Sequence, residues 1–335
     1  MEIGEIEMTI PVSRIADALL EGSIAGSFSR AGYETRSRLE HWTPLTNYDM
    51  TAKTVVVTGP TSGLGKELAY ILRRANANLV LVARNQEKLD ALGKELSSVA
   101  GNGAITKVVA DMGNLASVRT ACNEVISTIS AIDVMVHNAG ALSKIFSQTD
   151  DGVESTVASH VVGPFLMTTM LLTLLRKAHG RVVTVSSGGM YAAPLPHLRQ
   201  GGSLEMSSAK FDGTRQYALA KRAQVTLNEM WATRETEVEF HAMHPGWADT
   251  PGVQEALPTF RKVTKALLRT PAQGADTIAW LAMEPQLPAN SGSFWCDRST
   301  RSLHRLPTTK RSDTQSARDA LWSWCVDAAG LSTTA

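Results

Sequence analysis

Tyr217 and Lys221, in the run Tyr-Ala-Leu-Ala-Lys, stand one helical turn apart and stack a phenol and an ammonium on one helix face. A free phenol, with a pKa of about 10, releases and recovers protons poorly near neutrality. A cation one turn away favours the phenolate and lowers that value, which suits Tyr217 to deliver a proton to an alkoxide forming from a carbonyl. Ser187, in Val-Ser-Ser-Gly-Gly at the end of a β-branched run, offers a hydroxyl that can hold the same oxygen. Leu219, Ala223, Leu227 and Met230 mark a separate, core-facing stripe on the helix that carries Tyr217 and Lys221.

Residues 53–65, Lys-Thr-Val-Val-Val-Thr-Gly-Pro-Thr-Ser-Gly-Leu-Gly, supply the second chemistry. A β-branched run is followed by a turn too rich in glycine for regular structure, and Leu64, Leu68, Ile71 and Leu72 then recur at helical spacing. Such a strand, turn and helix brings backbone N–H groups and the positive helix end against an anion. The Gly-Lys-Ser/Thr of a Walker loop and the spacing G-x-G-x-x-G are both absent; the pattern is Thr58-Gly59-x-x-x-Gly63-x-Gly65.

The elements that must position these residues alternate along the chain. Short β-branched runs at 78–83, 104–110, 132–137, 181–186, 237–243 and 293–296 are separated by amphipathic stretches at 86–96, 115–129, 152–177 and 214–234. This alternation predicts an α/β fold, a Rossmann-like doubly wound parallel sheet of about seven strands flanked by helices, with its ligands at the strands' carboxyl ends. Residues 1–50 read as an N-terminal helical arm, with Ser13 as N-cap and Ile15, Leu19, Ala25 and Phe28 as a weak apolar stripe. A membrane-surface helix is the second reading of the arm, disfavoured by Gly22, Gly26 and the local acidity. Residues 51–296 form the nucleotide-binding domain, and 297–335 a polar tail with a helix near Ala317 to Ala328.

The order of these features resembles the classical short-chain dehydrogenase/reductase (SDR) family over residues 53–296: T-G-x-x-x-G-x-G first, Asn138-Ala139-Gly140 after the fourth strand, Ser187 after the fifth, then Tyr217-x-x-x-Lys221. The segments Val-Ser-Ser-Gly-Gly-Met, Phe-Asp-Gly-Thr and Met-His-Pro-Gly-Trp-Ala-Asp-Thr-Pro-Gly are most similar to the member 12 type of that family. The resemblance implies an oxidoreductase that moves a hydride between a nicotinamide and a ketone, aldehyde or secondary alcohol, with Ser187, Tyr217, Lys221 and His160 as catalytic residues. It implies a cofactor site of Gly59, Thr61, Ser62, Gly63, Leu64, Gly65, Arg84, Asp111, Met112, Asn138, Ala139, Gly140, Pro245, Gly246, Trp247 and Thr250, joined by Tyr217 and Lys221. In the family, Asp111's counterpart accepts from adenine, the Pro-Gly segment lines the nicotinamide and the Thr contacts its carboxamide. At the end of the second strand Ala83 removes the acid that would read a free ribose hydroxyl and Arg84 supplies a cation for a 2′-phosphate, so NADP(H) is expected over NAD(H).

Two departures stand out. His160 occupies the place of the family's relay Asn, where it can hydrogen-bond a water or shuttle a proton. Ser187 and Tyr217 are 30 positions apart, and the long intervening segment resembles that of retinol-dehydrogenase-like members. Val253, Leu257, Phe260, Val263, Leu267 and Leu268 follow the Pro-Gly loop as a candidate lid, either for a hydrophobic substrate or merely packed on the domain.

Composition bounds the alternatives. A net charge of +1 calls for no nucleic-acid partner, and the longest apolar stretch, 161–175, is broken by Gly, Pro and Thr and short for a membrane span. The acidic start differs from a basic leader, so a cytoplasmic location is expected. Cys122, Cys296 and Cys325 lie far apart, which suggests neither disulfide framework nor metal site. A homodimer is open: relatives pair through the helices after strands four and five, and a long segment before the Tyr can obstruct this. A nucleotide-binding protein without turnover is the competing reading, motivated by His160; an epimerase or dehydratase of the extended relatives fits the loop spacing less well.

Overall fold

Runs such as Thr-Val-Val-Val-Thr and Arg-Val-Val-Thr-Val, β-branched and buried on both faces, become the strands of one sheet. The computed structural model describes residues 12–198 and 202–331. The strands are β1 (Thr54–Thr58), β2 (Asn78–Ala83), β3 (Ile105–Val109), β4 (Val134–His137), β5 (Arg181–Val185), β6 (Glu239–Met243), β7 (Phe294–Cys296) and β8 (Ser299–Thr300). Their spatial order is β3-β2-β1-β4-β5-β6-β7-β8, parallel from β1 to β7, with β8 turning back antiparallel on β7. The order reverses between β1 and β4, which opens a crevice at their carboxyl ends.

The helices are α1 (Val12–Glu21), α2 (Ile24–Phe28), α3 (Arg30–Leu39), α4 (Gly63–Arg74), α5 (Gln86–Ser97), α6 (Leu115–Thr128), α7 (Ser155–Val157), α8 (Gly163–Ala178), α9 (Gly213–Arg234), α10 (Pro251–Ala256), α11 (Pro258–Thr264), α12 (Pro271–Met283), α13 (Pro307–Ser312) and α14 (Gln315–Ala328). Side-chain caps set several starts: Asn85 accepts from Lys88, Asn114 from Ser117, and Asp212 from Thr214 and Arg215. One face of the sheet packs Val55, Val57 and Leu81 on Leu68 and Leu72 of α4 and Ile278 and Leu281 of α12. The other packs Val56, Val80 and Met135 on Leu166 and Leu171 of α8 and on Ala223 and Leu227 of α9. Each fully buried Leu or Val contributes roughly 1.5–3 kcal/mol of transfer free energy.

Three regions differ from the sequence expectation. The helix expected over 152–177 starts at Ser155 and is interrupted by a π-helical turn, Ala158–Val162, before α8. The helical segment Ser155–Ala178 is 24 residues long and apolar enough to cross a bilayer by length and composition, but 72% of its most apolar window is buried within the domain. In the arm, Ser13 lies inside the first described turn of α1 rather than ahead of it, and Ile15 and Leu19 are 50% and 75% exposed. The inward side of α1 is polar instead: Asp17 and Glu21 meet arginines of α3 and of the chain after β8. β8 lies past the expected 296 boundary and carries the sheet on to Thr300. The expected tail helix is α14, whose Trp322 packs against Trp231 (4.8 Å between ring centroids) and Phe165 (5.0 Å).

Candidate active site

The glycine turn folds as it does because two of its residues hold positive φ, +66° at Gly59 and +52° at Gly63. A side chain at Gly65 would strike the Gly59 carbonyl oxygen at 2.2 Å and the Asn138 amide nitrogen at 2.4 Å. Ser62, the N-cap of α4, makes no side-chain bond to the first turn. The N–H groups that open α4 are therefore left for an anion, and Thr61, Ser62, Gly63 and Leu64 surround that end.

Asn138 locks the turn to β4. Its amide Nδ2 donates to the carbonyls of Thr58 and Gly59, both at 3.0 Å, while the Thr58 hydroxyl accepts from the N–H groups of Asn138 and Ala139. Gly140 leaves room for His160, whose Nε2 a side chain at 140 would meet at 2.4 Å. Arg84 is exposed at the end of β2. Asp111 accepts from the N–H of Gly113 at 2.8 Å, and a side chain at Gly163, where α8 starts, would strike the carbonyl oxygen of buried Met112 at 2.1 Å.

The π turn aims His160 at Tyr217. Its Nδ1 donates to the Thr156 carbonyl at 2.8 Å, which leaves Nε2 as a buried acceptor without a partner among the described residues, and its ring centre lies 5.4 Å from that of Tyr217. Lys221 Nζ is 5.3 Å from the centre of the Tyr217 ring and donates to the Val185 carbonyl at 2.8 Å. The Ser187 hydroxyl caps the turn after β5 by accepting from the Gly189 N–H at 3.3 Å, and lies near enough to Tyr217 to oppose the upward shift of its phenol. Ser187, Tyr217 and Lys221 therefore share one crevice, and His160 and Gly140 join it to the glycine turn.

The charge state differs from expectation. Burial pushes the Tyr217 phenol up to about 12, with the Ser187 hydroxyl pulling the other way, and pushes the Lys221 ammonium down to about 7. The acidified phenol is expected from the lysine together with an oxidised nicotinamide, and the chain's own groups do not reach it. Desolvation penalises both charged forms, and one of the three Lys221 Nζ donors goes to the Val185 carbonyl. His160 is held neutral, down at about 3, by burial and then by the nearby Lys221.

The wall opposite is the loop after β6. Gly246 has φ +69°, and Thr250 caps α10 while packing near Gly63. Residues absent from the sequence-based site hold this loop. The Trp247 N–H donates to the Phe28 carbonyl at 2.8 Å, and Arg269 donates to the Pro245 carbonyl at 3.3 Å. Arg269 shares Asp297 with Arg36, and all three are at most 1% exposed. Burial raises the Asp297 carboxyl, but the two guanidinium groups win and hold it below the usual range. The only signal for this cluster in the sequence is a set of charges spread over its two ends, which reads as solvated surface.

The geometry can now be set against known proteins. The short chain dehydrogenase family profile matches residues 53–197. Dehydrogenase/reductase SDR family member 12 of Bos taurus is 34% identical over 296 residues, covering 88% of this chain and 91% of that protein. The chain is a short-chain dehydrogenase/reductase. This SDR is also 31% identical over 296 residues to retinol dehydrogenase 14 of Mus musculus, with 82% of this chain and 84% of that protein covered. Among solved structures, a short chain dehydrogenase of Shigella flexneri complexed with NADP superimposes with a TM-score of 0.59 at 22% identity, over 75% of this chain and 98% of that one. The SDR is thus an oxidoreductase acting on CH–OH or C=O groups, of a family that binds NAD(P).

Proposed function

We propose that this SDR interconverts a hydrophobic ketone or aldehyde and its alcohol with NADP(H), using Ser187, Tyr217, Lys221 and His160. The gathering of Ser187, Tyr217 and Lys221 in one crevice carries the reading. A nicotinamide nucleotide, when bound, supplies or accepts the hydride. The open N–H groups of α4 and the bare glycines suit its pyrophosphate, and Arg84, with Ala83 before it, suits a 2′-phosphate. The Ser187 hydroxyl would hold the substrate oxygen and Tyr217 Oη would pass a proton to it or take one from it. Lys221, brought to about 7 by burial, exchanges protons readily near neutrality and can restore Tyr217. His160, its ring centre 5.4 Å from that of Tyr217, takes the position of a relay partner.

For the substrate, Val263 and Leu267 on the segment after Thr250 are apolar and exposed, whereas Leu268 is buried and Phe260 packs on Trp247 at 5.2 Å. Similarity to retinol dehydrogenase 14 agrees, since retinol is an apolar alcohol. α14 lies against α9, which favours a chain that does not pair through that helix; light scattering would read this directly. The second reading, a nucleotide binder without turnover, draws on Lys221 Nζ being tied to Val185. Assaying NADPH oxidation with a panel of apolar carbonyls separates the two. Substrate-dependent turnover is expected, falling about a thousandfold in Tyr217→Phe; unchanged turnover in that variant would refute the assigned role.

A further inference from the structure

We propose that Phe28, in the N-terminal arm, is a positioning residue of the active site, bracing Ser187 with its ring and fixing the nicotinamide side of the crevice with its carbonyl. The inference rests on the cofactor reading above. Phe28 is 3% exposed and its ring centre lies 4.3 Å from that of His244 and 6.2 Å from that of Trp247. The ring presses on the backbone directly after Ser187: a side chain at Gly188 would come within 2.5 Å of it. Its carbonyl accepts the Trp247 N–H at 2.8 Å, so one residue touches both walls.

The carbonyls beside it are fixed as well. Ser27 accepts from Arg269 at 2.9 Å and from Arg36 at 3.0 Å, and Ser29 accepts from Arg269 at 3.2 Å. Arg269 also donates to the Pro245 carbonyl, and its own N–H donates to the Trp247 carbonyl at 2.7 Å. The loop is shaped around this fitting: a side chain at Gly246 would strike the Arg269 guanidinium at 2.4 Å and the Phe28 carbonyl oxygen at 2.7 Å. The turn at Gly59 and Gly63 is held instead by Asn138, Thr58 and Val82, with no hold from the arm among the described residues. Disturbing Phe28 should therefore injure one half of the cofactor site and spare the other.

Full-length Phe28→Ala and the milder Phe28→Leu would be compared with wild type for binding of NADPH and of adenosine 2′,5′-bisphosphate, which lacks the nicotinamide half. NADH and ADP serve as the pair if wild type binds those instead. Phe28→Ala is expected to weaken NADPH about tenfold with the bisphosphate unchanged, and Phe28→Leu about threefold in the same one-sided pattern. Turnover should fall through kcat more than through KM. If Phe28→Ala does not fold, the pattern in Phe28→Leu decides. Equal loss of both ligands, or loss of neither, overturns the inference alone. A wild-type protein that binds neither pair overturns the cofactor reading and this inference with it.

Discussion

Around the glycine turn the hydrogen bonds come from close neighbours in the sheet: Asn138 and Thr58 join β4 to β1, and the Gly59 N–H donates to Val82 of β2. Around the loop after β6 the holds come from the arm, from Arg269 and from Asp297, drawn from both ends of the described chain. The first half depends on shape, since a Cβ at Gly59 or Gly65 collides with backbone or with Asn138. The second depends on buried charge, where Asp297 lies between two guanidinium groups at no more than 1% exposure and one of them, Arg36, also meets Asp17 and Glu21. A shape-held half fails by collision. A charge-held half fails when the shared partner is removed, because Arg269 is then left in the interior without a carboxylate among the described residues.

Asp297→Asn tests this contrast most severely. It leaves Arg269 without a carboxylate while Arg36 keeps Asp17 and Glu21, and urea unfolding is expected to show a loss of about 3 kcal/mol. Folded Asp297→Asn should bind NADPH more weakly yet keep its affinity for adenosine 2′,5′-bisphosphate. Equal loss of the two would show that the halves are not independent. Arg84→Ala probes the other side: roughly tenfold weaker NADPH binding with NADH unchanged is expected, and equal affinities before and after would remove Arg84 from the site.

At Lys221 the expected effect on stability has the opposite sign to the effect on turnover. Lys221 has a folded pKa near 7 against an ordinary 10.5, so between those values the unfolded chain holds a proton that the folded chain lacks. Stability therefore rises with pH through that window, and the burial cost is full below it. Lys221→Met removes that cost. Its melting temperature should exceed wild type at about pH 6, with the gain shrinking as pH approaches 10.5, while turnover is lost; a gain independent of pH would contradict the assigned charge state.

The shape-held half was legible in the sequence, since positive-φ glycines, β-branched strands and the chain order of Ser187, Tyr217 and Lys221 are local or sequential signals. The electrostatics were only half legible. Spacing showed that phenol and ammonium are neighbours, but burial fixes the direction of each shift, and burial depends on what packs over them. The charge-held half was not legible, because Asp17 and Glu21 look like the solvated side of a helix until Arg36, Arg301 and Arg305 close over them. Likewise Ile15 and Leu19 make a plausible inner stripe only while the polar side has no partners.

Arg36 and Asp297 meet across 261 positions of chain, whereas Asn138 reaches Gly59 across 79. During synthesis from the ribosome the nucleotide turn can close once β4 has emerged, but the seat of Phe28 must wait for residues 297–305. A growing chain would therefore gain a foothold for a phosphate well before it can orient a nicotinamide, and the slowest step to an active fold should be the docking of its two distant ends.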